Sequence, residues 1–579
     1  MRTWWGDLLR HLGVLFFYSL LTAAFTFPLV LHLGNSVLGG TGDNLYFAWL
    51  TGWYEHAFFD GGGHPFFSDW MNYPEGWNLS TTDTALATVF PGAFFSQFFG
   101  PIAGYNLAML LTFVLSGWAM YCWVRHITKS EGAALLAGAI FAFLPFRMAK
   151  LLIGHLNLAG TQWFPLYFMG LTGMLRNEAR GWQQPAVLAA VSLGLIGFTS
   201  MYYLYMGLLI TLVFVLAYLI FGGFKVLTKG WLWKQAGIFA GLAIPLLYLS
   251  MRYFFNLASS GTLASRDWEY ASLYSASPMD FLLPSTDNFL VGRWVGSHFN
   301  RDLWPEATLF IGFTALVLLI LAVWKRKENG SSALVWAALT AAAAAFILAL
   351  GTDLHWNAEP VIVQVPEFLR DLVGRSETRF FLPTYWLFNH LPYFDRMRAL
   401  ARFGFFASIF TTMLAGIGAA WVLGRVKDRW RTAAASGLIL LALLEFYPGP
   451  YTGQLTEIGP RPVDSWLEAQ PGDGAVAMFP FDQVEEQFNV YANLMTGKPF
   501  IGGLFNANQP PQYTYIKPIL VQFPAPEALT LLRELGITYV MVVKAGYPDL
   551  VMLDSQLAAG GLTELVDLDQ HRVYGFSQP

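Results

Sequence analysis

From Gly34 to Val124 the chain carries no lysine or arginine, yet the same stretch holds six acids: Asp43, Glu55, Asp60, Asp69, Glu75 and Asp83. Ahead of it stand Arg2 and Arg10 and an apolar run over roughly residues 8–33. Cytoplasmic loops retain Lys and Arg, so a span that starts basic and opens into a long loop free of both reads as running from inside to outside. The run is too long for the core of a signal peptide and lacks a small-residue cleavage site, so it reads as a retained anchor. Asp43 follows within about ten residues, which puts a carboxylate just outside the bilayer, where polar groups tend to be functional.

The rest of the chain repeats the membrane pattern. It has 579 residues, 55% hydrophobic and only 12% charged, against the quarter or so that soluble domains carry. Its 22 Trp suit interfacial belts. With a net charge of −4, nothing suggests nucleic acid as a partner. The single cysteine, Cys122, forms no internal disulfide and reads as a small core hydrophobe.

A helix needs about 20 apolar residues to cross. Beyond the first run, such segments lie near 104–124, 132–148, 156–175, 185–200, 202–221, 235–255, 306–324, 333–351, 400–424 and 431–448. The stretch 85–100 is short and contains Pro91. If it lies along the outer interface instead of crossing, the clusters Arg125/Lys129, Arg176/Arg180, Lys225/Lys229/Lys234, Lys325/Arg326/Lys327 and Arg425/Lys427/Arg429/Arg431 all fall on one side. That choice satisfies the charge bias. It gives about eleven crossings, a cytoplasmic N-terminus and an outer C-terminus.

The outer face thereby receives the loops 34–103, 256–305 and 352–399 and the whole tail. The tail changes character: 475–479 and 537–543 read as strands, 526–535 as a helix, and 562–576 as two short strands around Asp569-Gln570. The expected division is a membrane part, 1–448, and an extracytoplasmic α/β domain, 449–579, with no phosphate-binding glycine loop and no nucleophile motif.

Asp43 sits in Gly40-Thr41-Gly42-Asp43-Asn44, just before an amphipathic helical run. Two readings are open: a helix cap, since Asp or Asn before such a run satisfies free amides, or a functional carboxylate. An inside-out first span, an Asp at its outer end, two interfacial helices and a packed series of spans resemble the GT-C class of membrane glycosyltransferases. Further marks are Tyr73-Pro74-Glu75-Gly76-Trp77-Asn78, Gly104-Tyr105-Asn106, residues 133–150 and Gly154-His155-Leu156-Asn157. Together they look like a large group of uncharacterised bacterial and archaeal proteins of that class.

The resemblance implies a mostly α fold, a GT-C-like bundle of about eleven transmembrane helices with a small outer α/β domain. It also implies a glycosyltransferase that moves a hexosyl or pentosyl unit from a polyprenyl-phosphate-linked donor to a glycan, lipid or protein acceptor, among membrane lipids. Asp43 would be the catalytic carboxylate, taking the acceptor's proton or helping to hold a divalent cation such as Mg or Mn. Transfer with inversion needs one base.

A lipid phosphate leaving group needs positive charge. Arg398 and Arg402 stand four apart at an expected span entrance, projecting from one helix face. They are on the outer side, against the positive-inside bias; headgroup snorkelling is the competing reading. Arg147 and Lys150 form a second outer cluster, with Arg147 fixed and exposed after Pro145. Candidates for a second acid or ligand are Asp83, Asp267, Glu269 and His155, the last also readable as an ordinary interfacial histidine.

Two other functions compete. A transporter or flippase of lipid-linked glycan wants charges deep in several spans; here the expected spans show almost none apart from Glu445. A non-catalytic scaffold would use the tail, whose segment 500–515 has the makings of a binding loop.

Overall fold

The computed structural model describes residues 2–81, 84–178, 184–259, 265–328, 332–368, 370, 374, 376–481, 486–505 and 509–576. It is mostly helical, and a helix stands in each expected span. Seven helices among the described residues are long and apolar enough to cross a membrane: Trp5–Phe25, Pro101–Thr128, Glu131–Leu152, Met201–Gly222, Gly230–Arg252, Ser332–Ala349 and Leu400–Leu423. Pro185–Thr199 and Phe313–Trp324 are apolar but shorter. At 1.5 Å per residue they reach only about 20 Å, less than the ~30 Å of a hydrocarbon core.

Two expected spans are broken. The segment 132–148 divides into Glu131–Ala142 and Pro145–Leu152, because Pro145 lacks the amide a continuing helix needs and instead occupies the first turn of a new one. The segment 156–175 divides into Leu156–Ala159 and Trp163–Leu175. The piece Pro145–Leu152 leads directly to His155, which faces Asp43.

The loop after the first span supplies two further helices, Asp43–Phe59 and Leu86–Phe99. The second packs through small residues: a Cβ on Gly92 would come within 2.9 Å of Gly104 O, and one on Gly104 within 2.5 Å of Gly92 O. Its other side exposes Phe90, Phe94, Phe98 and Phe99. Phe90 and Phe94 pack edge-on or tilted against Phe58 and Phe59 at the end of the first of these helices. That apolar outer face is what an interfacial helix presents to lipid.

The tail forms a four-stranded sheet in the order Leu562–Asp567, His571–Phe576, Tyr539–Val543, Val476–Phe479; only the last pair is parallel. Helices Pro511–Leu520, Pro526–Glu534 and Leu550–Ala559 cover one face. The tail does not hang free. Ser36–Leu38 pairs antiparallel with Leu455–Glu457, and Trp49 Nε1 donates to Asn493 Oδ1 at 2.7 Å. Tyr451, Ile458, Val490, Tyr491 and Leu504 bury into the same core as the helical bundle.

Candidate active site

The loop before helix Asp43–Phe59 separates the two readings of Asp43. Gly42 is the N-cap and Asp43 the first helical residue. The bracing is done by Asn44: its Oδ1 accepts from the amides of Gly42 and Leu45, both at 2.9 Å, and its Nδ2 donates to Gly40 O at 2.8 Å. Asp43 instead directs Oδ2 to His155 Nε2 at 2.9 Å, with its side chain one-third exposed.

Close backbone contact holds this pair together. Gly154 has φ +75°, and a Cβ there would lie 2.3 Å from the amide nitrogen of Asn44. Gly39 has φ +81°, and a Cβ there would lie 1.8 Å from Leu152 O. Only glycine adopts these angles in this space. Burial lowers the pKa of His155, and Lys150 and Arg402 lower it further, against the raising effect of Asp43. The neutral ring then carries its proton on Nε2, facing the carboxylate, while Nδ1 is buried without a partner.

Behind His155 lies a buried charge cluster. His155 N donates to Lys150 O at 2.9 Å. Lys150 Nζ meets Glu306 Oε2 at 2.9 Å and Pro305 O at 2.6 Å. Arg402 meets the same carboxylate, with Nε at 3.0 and 3.1 Å and Nη2 at 2.5 Å. Burial alone would raise the Glu306 carboxyl, but Arg402 and Lys150 more than offset it and hold it well below the usual carboxylate range.

The expected cations are thus rearranged. Arg398 and Arg402 do not share a helix face: the 3-10 turns Phe394–Arg396 and Leu400–Arg402 flank Arg398, and the helix begins at Phe403. Hydrogen bonds from Ala399 N to Tyr202 Oη (2.7 Å) and from Ala401 N to Tyr274 O (3.0 Å) hold the backbone out of a continuous helix. Arg147 is fixed but fully buried, contrary to the exposed position expected after Pro145. Its guanidinium donates to Ala142 O at 2.6 Å, Ala159 O at 3.0 Å and Thr112 Oγ1 at 3.3 Å, and lies 4.2 Å from the centre of the Phe113 ring. Lys150 is equally buried, and both belong to the packing of the site floor.

Arg398 is the half-exposed member of the four. It lies 4.8 Å from the centre of the Tyr274 ring, with Tyr274 and Tyr270 5.7 Å apart and Arg266 5.0 Å from the Tyr270 ring. Slight burial pulls the other way, but Arg398, Tyr274 and Arg266 together bring the Tyr270 phenol below its ordinary pKa. Asp267 and Glu269 are exposed on this same turn, and neither makes an ion pair with His155. Asp83 lies outside the described residues.

The sequence reading passed over Glu306, although an acid opening an expected span is a site candidate by that fact alone. Arg266 had no signal of its own. Glu445, the acid that was noticed, anchors a helix start: Thr314 Oγ1 donates to it at 2.6 Å and Thr314 N at 3.0 Å.

Among the described residues there is no group of three or more His, Cys, Asp or Glu side chains placed to hold a metal. Asp43 and His155 are hydrogen-bonded to one another, which leaves the carboxylate as the one member of the pair open to an ion. That falls short of a zinc site and suits an ion such as Mg that draws its remaining ligands from substrate phosphate and water.

Fold and site together define a polytopic membrane protein with the GT-C fold, in which Asp43 and His155 face one another. Residues 16–404 match the family described as Domain of unknown function (DUF6311), and the chain belongs to that family. No curated protein sequence matches it. Among solved structures, a mycobacterial arabinofuranosyltransferase AftD superposes with a TM-score of 0.52 at 15% identity, covering 100% of this chain and 42% of that one. The Archaeoglobus fulgidus oligosaccharyltransferase in complex with Zn and sulfate gives 0.50 at 13%, covering 95% and 69%. ArnT from Cupriavidus metallidurans bound to undecaprenyl phosphate gives 0.49 at 12%, covering 98% of each. At these identities the likeness is one of fold.

Proposed function

We propose that this protein is a GT-C glycosyltransferase that moves a hexosyl or pentosyl unit from a polyprenyl-phosphate-linked donor to an acceptor hydroxyl on the extracytoplasmic face. The acceptor is a glycan, lipid or protein. The observation that carries this reading is the division of labour at the loop: Asn44 braces the helix start, so Asp43 is held by His155 at the surface of the site. The arabinofuranosyl- and oligosaccharyltransferase folds support it.

In the reaction the acceptor oxygen bonds to the anomeric carbon as the bond from that carbon to the phosphate oxygen breaks. Asp43 takes the hydroxyl proton, and the hydrogen bond from His155 fixes the carboxylate's orientation. The electron pair leaves on the lipid phosphate, whose charge Arg398 and Arg266 meet beside Tyr270 and Tyr274. Lys150, Glu306 and Arg402 form a buried floor beneath them. A divalent cation, if bound, would be held by Asp43 and would supply further charge for the leaving phosphate.

The test is transfer from undecaprenyl-phosphate-linked sugars in proteoliposomes. Asp43→Asn should lower turnover by about 10²–10⁴-fold while the protein keeps its thermal transition. Undiminished turnover in this variant removes Asp43 as the base.

A further inference from the structure

The loop that carries Asp43 is gripped from outside the membrane bundle by a segment more than four hundred residues away in sequence. Ser36, Val37 and Leu38 pair with Glu457, Thr456 and Leu455. The pairing continues past the strand: Gly39 N donates to Gln454 O at 2.8 Å, and Thr456 Oγ1 donates to Gly39 O at 2.6 Å. Ile458 N closes on Asn35 O at 2.7 Å, and Tyr451 N on Phe27 O at 2.9 Å. From the other side Asn106 Nδ2 donates to Leu33 O and Ser36 O, both at 2.8 Å.

Gly39 is therefore held on both its backbone groups by this strap and pressed against Leu152 O on its third side. Four residues beyond Gly39 is Asp43; three beyond Leu152 is His155. Both members of the pair hang from one clamp, and an ångström of play at a reacting group costs on the order of 10²-fold in rate.

We propose that residues 451–458 are a working part of the transferase site and that Thr456 is a positioning residue for Asp43; this rests on the transferase reading above. The side chain that closes the clamp thus comes from the start of the tail, so the tail is built into the site and is not an appended binding module.

The test uses the full chain with Thr456→Val, which keeps the β-branched shape and removes the hydroxyl, and Thr456→Ser, which keeps it. Two readouts are taken: hydrogen exchange of the amides over 39–45, and steady-state transfer from whichever undecaprenyl-phosphate-linked hexose or pentose the wild type turns over. Thr456→Val should exchange at least tenfold faster over 39–45 and lose about tenfold in kcat, with KM for the donor within about twofold, and Thr456→Ser should restore both. Unchanged exchange in Thr456→Val overturns the clamp. Faster exchange with unchanged kcat, or a loss confined to KM, overturns the positioning role. A wild-type chain that forms no glycosidic bond, with the exchange difference present, sinks the transferase reading and leaves the clamp standing.

Discussion

At the residue scale, the acid adjoining the likeness-bearing motifs was legible and the acid that organises the site was not. Asp43 stands out by position alone, just after a first span and a glycine-rich turn. Glu306 declares itself only in three dimensions, because its partners Lys150 and Arg402 lie 156 and 96 positions away in sequence, brought together by bundle packing. Removing one member of a buried ion-paired set leaves uncompensated charge and costs about 3–5 kcal/mol. Glu306→Gln should therefore lower the thermal transition of the detergent-purified protein far more than a surface Glu→Gln change such as at Glu457. The pH dependence follows from the same group. The folded carboxyl is held below its unfolded value, so its stabilisation is complete above about pH 4.3 and is lost as pH falls below that. His155 adds in the same direction: its folded pKa is lowered, so below about pH 6.5 the unfolded chain takes up a proton that the folded one resists. Wild type should lose stability in both windows on acidification; Glu306→Gln should lose less in the lower one and His155→Gln less in the upper. Unfolding curves that fall equally for all three would refute both assignments.

At the element scale, hydrophobic runs gave the positions of the helices but not their interruptions. The short pieces Pro145–Leu152 and Leu156–Ala159 look in sequence like parts of longer apolar segments, because the breaks fall at Pro145 and Gly160 inside apolar surroundings. Helical spacing failed at Arg398 and Arg402 for a related reason: an i,i+4 pair shares a face only if the intervening backbone is helical, and here Tyr202 and Tyr274 capture two of its amides. The tail strands were plainer, since 475–479, 537–543 and 562–576 alternate or run apolar between turn residues. The broken segments are where the site is built, and Gly154 is the joint. Gly154→Ala would force a Cβ against the Asn44 amide at a left-handed backbone angle. Overpacking of this kind costs roughly 1–3 kcal/mol, and the displacement falls on Asp43, so transfer should drop at least tenfold. Gly437→Ala, on an exposed helical position with nothing within 4 Å of the new Cβ, should keep full activity and gain slightly in stability. Equal activity in the two alanine variants would show that the contact between the two loops does not set the site.

At the scale of the whole molecule, charge distribution and packing point the same way. His126, at the end of Pro101–Thr128, pairs with Glu178, which also meets Arg176 beyond Trp163–Leu175. Arg425 and Lys325 share Glu328, joining the ends of Leu400–Leu423 and Phe313–Trp324. The basic clusters so gather at one end of the bundle, while Asp43, His155, Lys150, Glu306 and Arg402 gather elsewhere, with the tail clasped to the Asp43 loop. From the retention of Lys and Arg on the cytoplasmic side we propose that the molecule sits with the tail outside. The arrangement is measurable because the chain has one cysteine. In a Cys122→Ala background, Ser465→Cys reports on the tail and Lys427→Cys on the basic end, both at exposed positions. With a membrane-impermeant maleimide, Ser465→Cys should label on intact spheroplasts and Lys427→Cys only after permeabilisation. The reverse pattern would place Asp43 in the cytoplasm, where the proposed extracytoplasmic transfer cannot occur, and the charge argument and the function would fall together.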